Sequence, residues 1–262
     1  MTRADIAVIG GSGFYSFLED AGQHTISTPY GEPSESISVG TVAGRSVAFL
    51  PRHGAHHEFP PHLINYRANA WALRSLGVRQ VLAPCAVGSL TPDLGPGDVV
   101  VPDQLVDRTW GRPSTFVETG ACHVPFADPY CPRLAGAVAA ADDNVTRGGA
   151  MVVVQGPRFS TRAESQHYAA QGWSLINMTG SPEAALAREL RQCYVPIALV
   201  TDLDAGIEAG SGVGQEEVFR MFSENLDRLR TLLTDTIAAL PDPAGCGCDT
   251  WADGVDVPYE IP

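Results

Sequence analysis

The chain has 262 residues, 44% of them hydrophobic and 18% charged, which is enough for one large α/β domain or two small ones and too apolar for disorder. A net charge of −13 argues against wrapping nucleic acid or an anionic membrane. All 17 basic residues are arginine, which removes Schiff-base lysines, a lysine general base and a P-loop lysine.

No segment approaches the roughly 20 apolar residues of a transmembrane helix. The opening MTRADIAVIGG lacks a signal-peptide core and enters a strand at once, so a cytoplasmic chain without a membrane partner is expected. DIAVIGGSGF reads as a buried strand ending in a glycine turn. SISVGTVAGRSVAFLPRHG reads as a hairpin turning near Ala43 and Gly44 and delivering Arg52 and His53. PPHLINYRANAWALRSLG has helical spacing with a stop at Gly77. QVLAPCAVGSL is a strand running into Gly88, and GDVVVPDQLVDR is read as one further strand. PRLAGAVAAADD is a helix with proline near its start, and GAMVVVQGPRFST a strand followed by a loop. TRAESQHYAAQG is a helix whose Thr161 and Glu164 have capping-box spacing. WSLINMTG is a strand, and SPEAALARELRQ a helix with Ser181 as N-cap and Pro182 at N1. YVPIALVTD is a strand, GQEEVFRMFSENLDRLRTLLTDTIAAL one long helix, and the Pro/Gly/Asp-rich remainder after Leu240 loop. This alternation predicts a single α/β domain around a largely parallel sheet.

Ligands in such sheets sit beyond the carboxyl ends of the strands. There the sequence places Ser12, Arg52-His53, Cys85-Ala86, Asn177–Thr179 and the pair Asp202/Asp204. If the chain is extended at TDLD, the two aspartates share a face and need a metal, a proton or a polar ligand between them. GGSG lacks the third glycine of a dinucleotide fingerprint and the G-K-[ST] of a P-loop, yet such a turn can still offer N–H groups and a hydroxyl to an anion. PRHGAHHEFPPH carries Arg52 and four histidines without metal-ligand spacing, so no metal is expected; an Arg–His pair can instead clamp an oxyanion. Met178 precedes a helix start that favours anions, and Phe159 lies on a loop where it can stack on a flat ring or plug the core. A strand ending in D-x-D also fits a haloacid-dehalogenase-type phosphotransferase, but here it lies late in the chain and no lysine accompanies it.

VIGGSGF, PRHGAHH, NYRANAWAL, APCAVGSL, PGDVVVPDQLVDRT, CHVPFADPYCP, QGPRFSTRAES, INMTGSPEAALARE and ALVTDLDAG occur in the order seen in the 5′-methylthioadenosine phosphorylases, the trimeric branch of the purine nucleoside phosphorylases. The chain resembles this family from about Ile6 to Leu240. The resemblance implies the nucleoside phosphorylase fold over 1–240, a mixed central sheet flanked by helices, followed by a tail at 241–262. It implies phosphorolysis of 5′-methylthioadenosine to adenine and 5-methylthioribose 1-phosphate, with phosphate as co-substrate, no cofactor, and self-association as a homotrimer. Carried over by residue, Ser12, Arg52, His53, Cys85, Ala86 and Thr179 resemble the phosphate site, with Arg52 as a charged fork. Met178 would pack under the ribose, Phe159 would stack on the purine, and Asp202 and Asp204 would face its N7 and N6 edge, Asp202 as general acid. His57, Val218 and Phe219 would surround the 5′ group, with His123 reaching in from a neighbouring subunit.

With aspartate at both positions, 6-aminopurines are expected over 6-oxopurines, the latter being the alternative together with adenosine or a 5′-halo analogue. A nucleosidase using water would need no anion clamp. Cys85 stands where many members have threonine. The glycine-rich 210–214 segment should form a lid over the 5′ group. Four of the six cysteines read as reduced core thiols. Cys246 and Cys248 form a C-x-C resembling a tail motif of some archaeal relatives, where the pair can form a disulfide; two thiols alone are too few for a closed zinc site.

Overall fold

A computed structural model describes residues 3–207 and 212–262. Its first strand, β1 (Ile6–Gly10), is buried at every position, as its unbroken apolar run requires of a central strand. β2 (Gly22–His24), β3 (Ile37–Val42) and β4 (Arg45–Pro51) follow, with β3 and β4 forming the expected hairpin about Ala43-Gly44. α1 (Tyr66–Ser75) is capped by Asn65, whose side chain accepts from the Ala68 N–H. β5 (Gln80–Ser89) comes next and organises the sheet.

β5 pairs in parallel with β11 (Cys193–Leu203) from end to end. Its other edge pairs with β1 only as far as Leu82, and with antiparallel β10 (Leu175–Asn177) only from Gly88. Between those limits the sheet parts, and Ala83–Val87 face a gap instead of a strand. The mixed sheet runs β2-β3-β4-β1-β5-β10-β9-β7, with β9 at Ala150–Val154 and β7 at Gln104–Arg108. β6 (Val99–Val101) joins β11 antiparallel and carries β8 (Val145–Arg147) on its far edge.

α2 (Pro132–Ala141), α3 (Arg162–Ala170), α4 (Gly180–Glu189), α5 (Gln215–Glu224), α6 (Leu226–Ala239) and a turn of helix, α7 (Gly247–Thr250), complete the described elements. α3 carries the capping box, with Thr161 and Glu164 each accepting from the other's backbone N–H. Hydrophobic cores fill both faces of the sheet, one around Ala7, Leu73, Val87 and Tyr194, the other around Val8, Leu134, Val195 and Leu233.

Four local expectations need correction. GDVVVPDQLVDR is two strands, because Pro102 has no N–H to donate and the chain changes partners there: β6 stays on β11 while β7 crosses to β9. The long last helix divides at Asn225 (φ −103°, ψ 4°), whose side-chain amide donates to the Met221 carbonyl and ends α5. Ser181 has the extended backbone of an N-cap (φ −115°, ψ 133°) inside α4, but its hydroxyl donates to Asp107 rather than to the helix. The tail is not all loop. α7 buries Cys248, Trp251 Nε1 donates to the Arg188 carbonyl, and the Tyr259 hydroxyl donates to that of Glu189.

Candidate active site

A cavity of about 330 Å³ opens where the sheet parts beside β5. Ser12 enters it from the turn after β1, Arg52, His53 and His57 from beyond β4, and Cys85 and Ala86 from the unpaired stretch of β5. Met178 and Thr179 come from the end of β10, Asp202 and Asp204 from the end of β11, and Phe159 from the loop after β9. Val218 and Phe219 of α5 close the far side. Every candidate residue but His123 therefore lines one cavity. His123 is exposed on the loop before α2 and does not line it. Of the expected 210–214 lid, 210 and 211 lie outside the described residues, and 212–214 lead directly into α5.

One end of the cavity is built for an anion, though not with the fork expected of Arg52. That side chain is fully buried, and its Nε and Nη2 donate to the two oxygens of Glu183 at 2.7 and 2.8 Å. Nη1 donates to the Pro84 carbonyl at 3.3 Å, which leaves one Nη1 hydrogen for a ligand. Burial opposes the guanidinium charge, and the Glu183 ion pair outweighs it, so Arg52 stays charged. The Tyr194 hydroxyl holds Glu183 in turn at 2.7 Å.

His53 is neutral. Burial, and then the Arg52 charge, push its pKa down to about 3. Its Nδ1 donates to the Phe59 carbonyl at 2.9 Å, since a carbonyl can only accept, and Nε2 is left as a lone-pair acceptor. The expected Arg–His oxyanion clamp is thus one buried cation beside one neutral acceptor. Such a site suits an anion that still carries a proton, as HPO₄²⁻ does. Burial also raises the Cys85 thiol to about 12, so it is not a nucleophile at neutral pH.

The opposite end is acidic. β11 persists through Leu203, and both aspartates turn towards Gly88. A Cβ there would stand 3.1 Å from Asp202 Oδ1 and 3.3 Å from Asp204 Cβ, so only glycine lets β5 pass so close. Thr201 donates its hydroxyl to Asp202 Oδ2 at 2.7 Å. Asp202 Oδ1 is buried, with no hydrogen-bond partner among the described residues. Burial drives this carboxyl up to about 6, against the Thr201 hydrogen bond and with help from the Asp204 charge. At pH 7 about a tenth of it is then a carboxylic acid, with Oδ1 the oxygen free to carry the proton. Asp204 is also raised by burial, but it accepts a short 2.5 Å hydrogen bond from Ser165, a fully buried side chain.

Between the two ends lie the side chains for a flat ring and a sugar. Phe159 is about one-third exposed at the rim. Met178 packs against Gly156 (φ +63°), where a Cβ would come within 2.6 Å of its sulfur. At the side facing α5, His57 stacks on His53 with centroids 4.3 Å apart and meets the Phe219 ring edge-on at 5.6 Å. Burial lowers the His57 pKa, so this wall is uncharged and mostly apolar.

A family model described as the phosphorylase superfamily matches residues 5–238. The chain belongs to this superfamily. Its relatives include an S-methyl-5′-thioadenosine phosphorylase of Mycolicibacterium smegmatis, 59% identical over 98% of this chain and 99% of that protein. A purine nucleoside phosphorylase of Streptomyces coelicolor is 56% identical over 99% and 98%. Among solved structures, the methylthioadenosine phosphorylase of Schistosoma mansoni in complex with adenine superposes with a TM-score of 0.88 at 36% identity, covering 92% of this chain and 94% of its own.

Residues behind the cavity lining hold this site in shape, and of these only Asn177 stands among the sequence candidates. Asn177 accepts from the Thr179 and Gly180 N–H groups at 2.7 Å each and donates to the Ala86 carbonyl, so it fixes the turn bearing Met178 and Thr179 to β5. Arg112, nearly buried, donates to the carbonyls of Met178, Ser181 and Gln155, joining that turn to the loop of Phe159. Glu183 and Ser165 act through Arg52 and Asp204, contacts that no local spacing reveals. Nothing local marks Arg112. Its partners lie 43 to 69 residues away.

Proposed function

We propose that this chain catalyses the phosphorolysis of S-methyl-5′-thioadenosine, giving adenine and 5-methylthioribose 1-phosphate, as a pentosyltransferase of purine and methionine salvage. The observation that carries the mechanism is the buried Oδ1 of Asp202, without a partner among the described residues and with its carboxyl raised to about 6, in the same cavity as the Ser12, Arg52 and Thr179 cluster. Cleaving the glycosidic bond puts positive charge on the ribosyl ring and negative charge on the departing purine. Asp202 donates its proton to N7 and so neutralises the leaving group. HPO₄²⁻ attacks C1′ from the anion end, held by the Arg52 Nη1 hydrogen and the Ser12 and Thr179 hydroxyls. Its own proton points to His53 Nε2.

Asp204 accepts the N6 amino group of adenine, while the Ser165 hydrogen bond fixes its carboxylate. Phe159 stacks on the base, and Met178 packs under the ribose. The reaction balances with phosphate as co-substrate and calls for no further cofactor. The uncharged wall of His57, Val218 and Phe219 favours a methylthio group over a hydroxyl. Formation of a homotrimer, with His123 directed at a neighbouring subunit's 5′ pocket, and a cytoplasmic setting belong to the same proposal. His123 is exposed and lies outside its own chain's cavity, as such a role requires.

A panel of 5′-methylthioadenosine, adenosine and inosine at saturating phosphate tests the substrate. The expected order of kcat/KM is methylthioadenosine, then adenosine, then inosine, with the first step roughly tenfold or more. Preference for inosine would assign the chain to 6-oxopurine nucleosides instead.

A further inference from the structure

At the other end of β11 from Asp202, about 30 Å away along the strand, four cysteines meet. Cys131 is the N-cap of α2, Cys193 opens β11, and Cys246 and Cys248 flank the start of α7. Cys131 and Cys193 lie apart in sequence, and the fold brings both to the tail's C-x-C. All four sulfurs lie within 4.8 Å of one another, and Cys131 Sγ is 3.7 Å from Cys246 Sγ. Zinc–sulfur bonds of about 2.3 Å in a tetrahedron give sulfur–sulfur edges of roughly 3.8 Å. Cys131, Cys193 and Cys248 are buried, and Cys246 is half-buried, so the group is closed, with no room left for a substrate.

We infer that Cys131, Cys193, Cys246 and Cys248 form a structural tetrathiolate zinc site that fastens the C-terminal segment to the body of the enzyme. Zn²⁺ displaces the four thiol protons, and the resulting centre carries a net charge of −2. Its surroundings offset that charge. Arg133 Nη2 donates to Cys193 Sγ at 3.4 Å, and Arg188 acts electrostatically on Cys248. The N-terminus of α2 adds its dipole at Cys131. Four sulfur donors in a closed tetrahedral arrangement select a soft, redox-inert ion over magnesium or calcium. Three sequence-distant segments supply the ligands, so the clamp holds α2, β11 and the tail in one register. The tail contacts made by Trp251, Tyr259 and Asp249 depend on that register.

The test is metal analysis of the full-length protein purified without chelator, followed by chelator stripping and titration of the stripped protein with Co²⁺. About one zinc per chain is expected, together with a tetrahedral cobalt–thiolate spectrum at one equivalent. All six cysteines should titrate as free thiols after denaturation in chelator. Cys246→Ser/Cys248→Ser should lose the metal and lower the melting temperature while keeping nucleoside turnover; Cys122→Ser, outside the cluster, should keep the metal. Protein that shows no cobalt–thiolate spectrum, or that yields fewer than six thiols because a disulfide occupies the site, overturns the inference. So does one iron per chain in place of zinc.

Discussion

Asp202 is costly to the fold at neutral pH. Its folded pKa of about 6 lies above the ordinary 3.8, so the protonated carboxyl favours the folded state fully below pH 4. That contribution is lost as pH rises through 6, amounting to about 3 kcal/mol for a shift of this size. Asp202→Asn should therefore lower kcat by about 10²–10⁴-fold, the usual worth of a general acid, and raise the melting temperature at pH 8. At saturating phosphate, kcat/KM for the nucleoside should fall as pH rises through an apparent pKa near 6, and the variant should lose that inflection. A pH profile unchanged in Asp202→Asn would place the proton elsewhere. Asp204→Asn should shift preference towards inosine by roughly 10²-fold, measured as a ratio of kcat/KM values, because the amide can donate to a 6-oxo group. These two residues were legible in ALVTDLDAG, since strand periodicity placed both on one face. The neutral state of His53 was not, because it depends on burial and on the Phe59 carbonyl across the turn.

At the scale of elements, the cavity follows from β5 exchanging β1 for β10 along one edge. The turns around that gap are held by side chains and not by sheet hydrogen bonds. Arg112 bridges the β10–α4 turn and the β9–α3 loop. Arg112→Ala should raise the nucleoside KM and lower kcat together, about tenfold or more in kcat/KM, and destabilise by about 1–3 kcal/mol by leaving buried carbonyls unpaired. Steady-state kinetics with a denaturation curve check both, and a variant altered only in stability would reduce Arg112 to a core role. Capping-box spacing and the hairpin turn were readable because their partners are three residues apart or adjacent. The divisions at Pro102 and Asn225 were masked by continuous apolar patterning on either side. In both places one residue's hydrogen-bonding chemistry overrides periodicity.

For the whole molecule, strand–helix alternation announced an α/β sheet, and polar residues at successive strand ends announced one composite site. The sheet's parting at β5 and the meeting of Cys131, Cys193, Cys246 and Cys248 arise from contacts between distant segments, so local pattern carried no trace of them. The assembled cavity pairs an anion end with an acid end, and this pairing separates phosphate transfer from hydrolysis. Adenine release from 5′-methylthioadenosine, followed with and without inorganic phosphate, tests that most directly. We expect release only with phosphate, matched one to one by 5-methylthioribose 1-phosphate. Equal rates of adenine release in phosphate-free buffer would contradict phosphorolysis and make water the nucleophile.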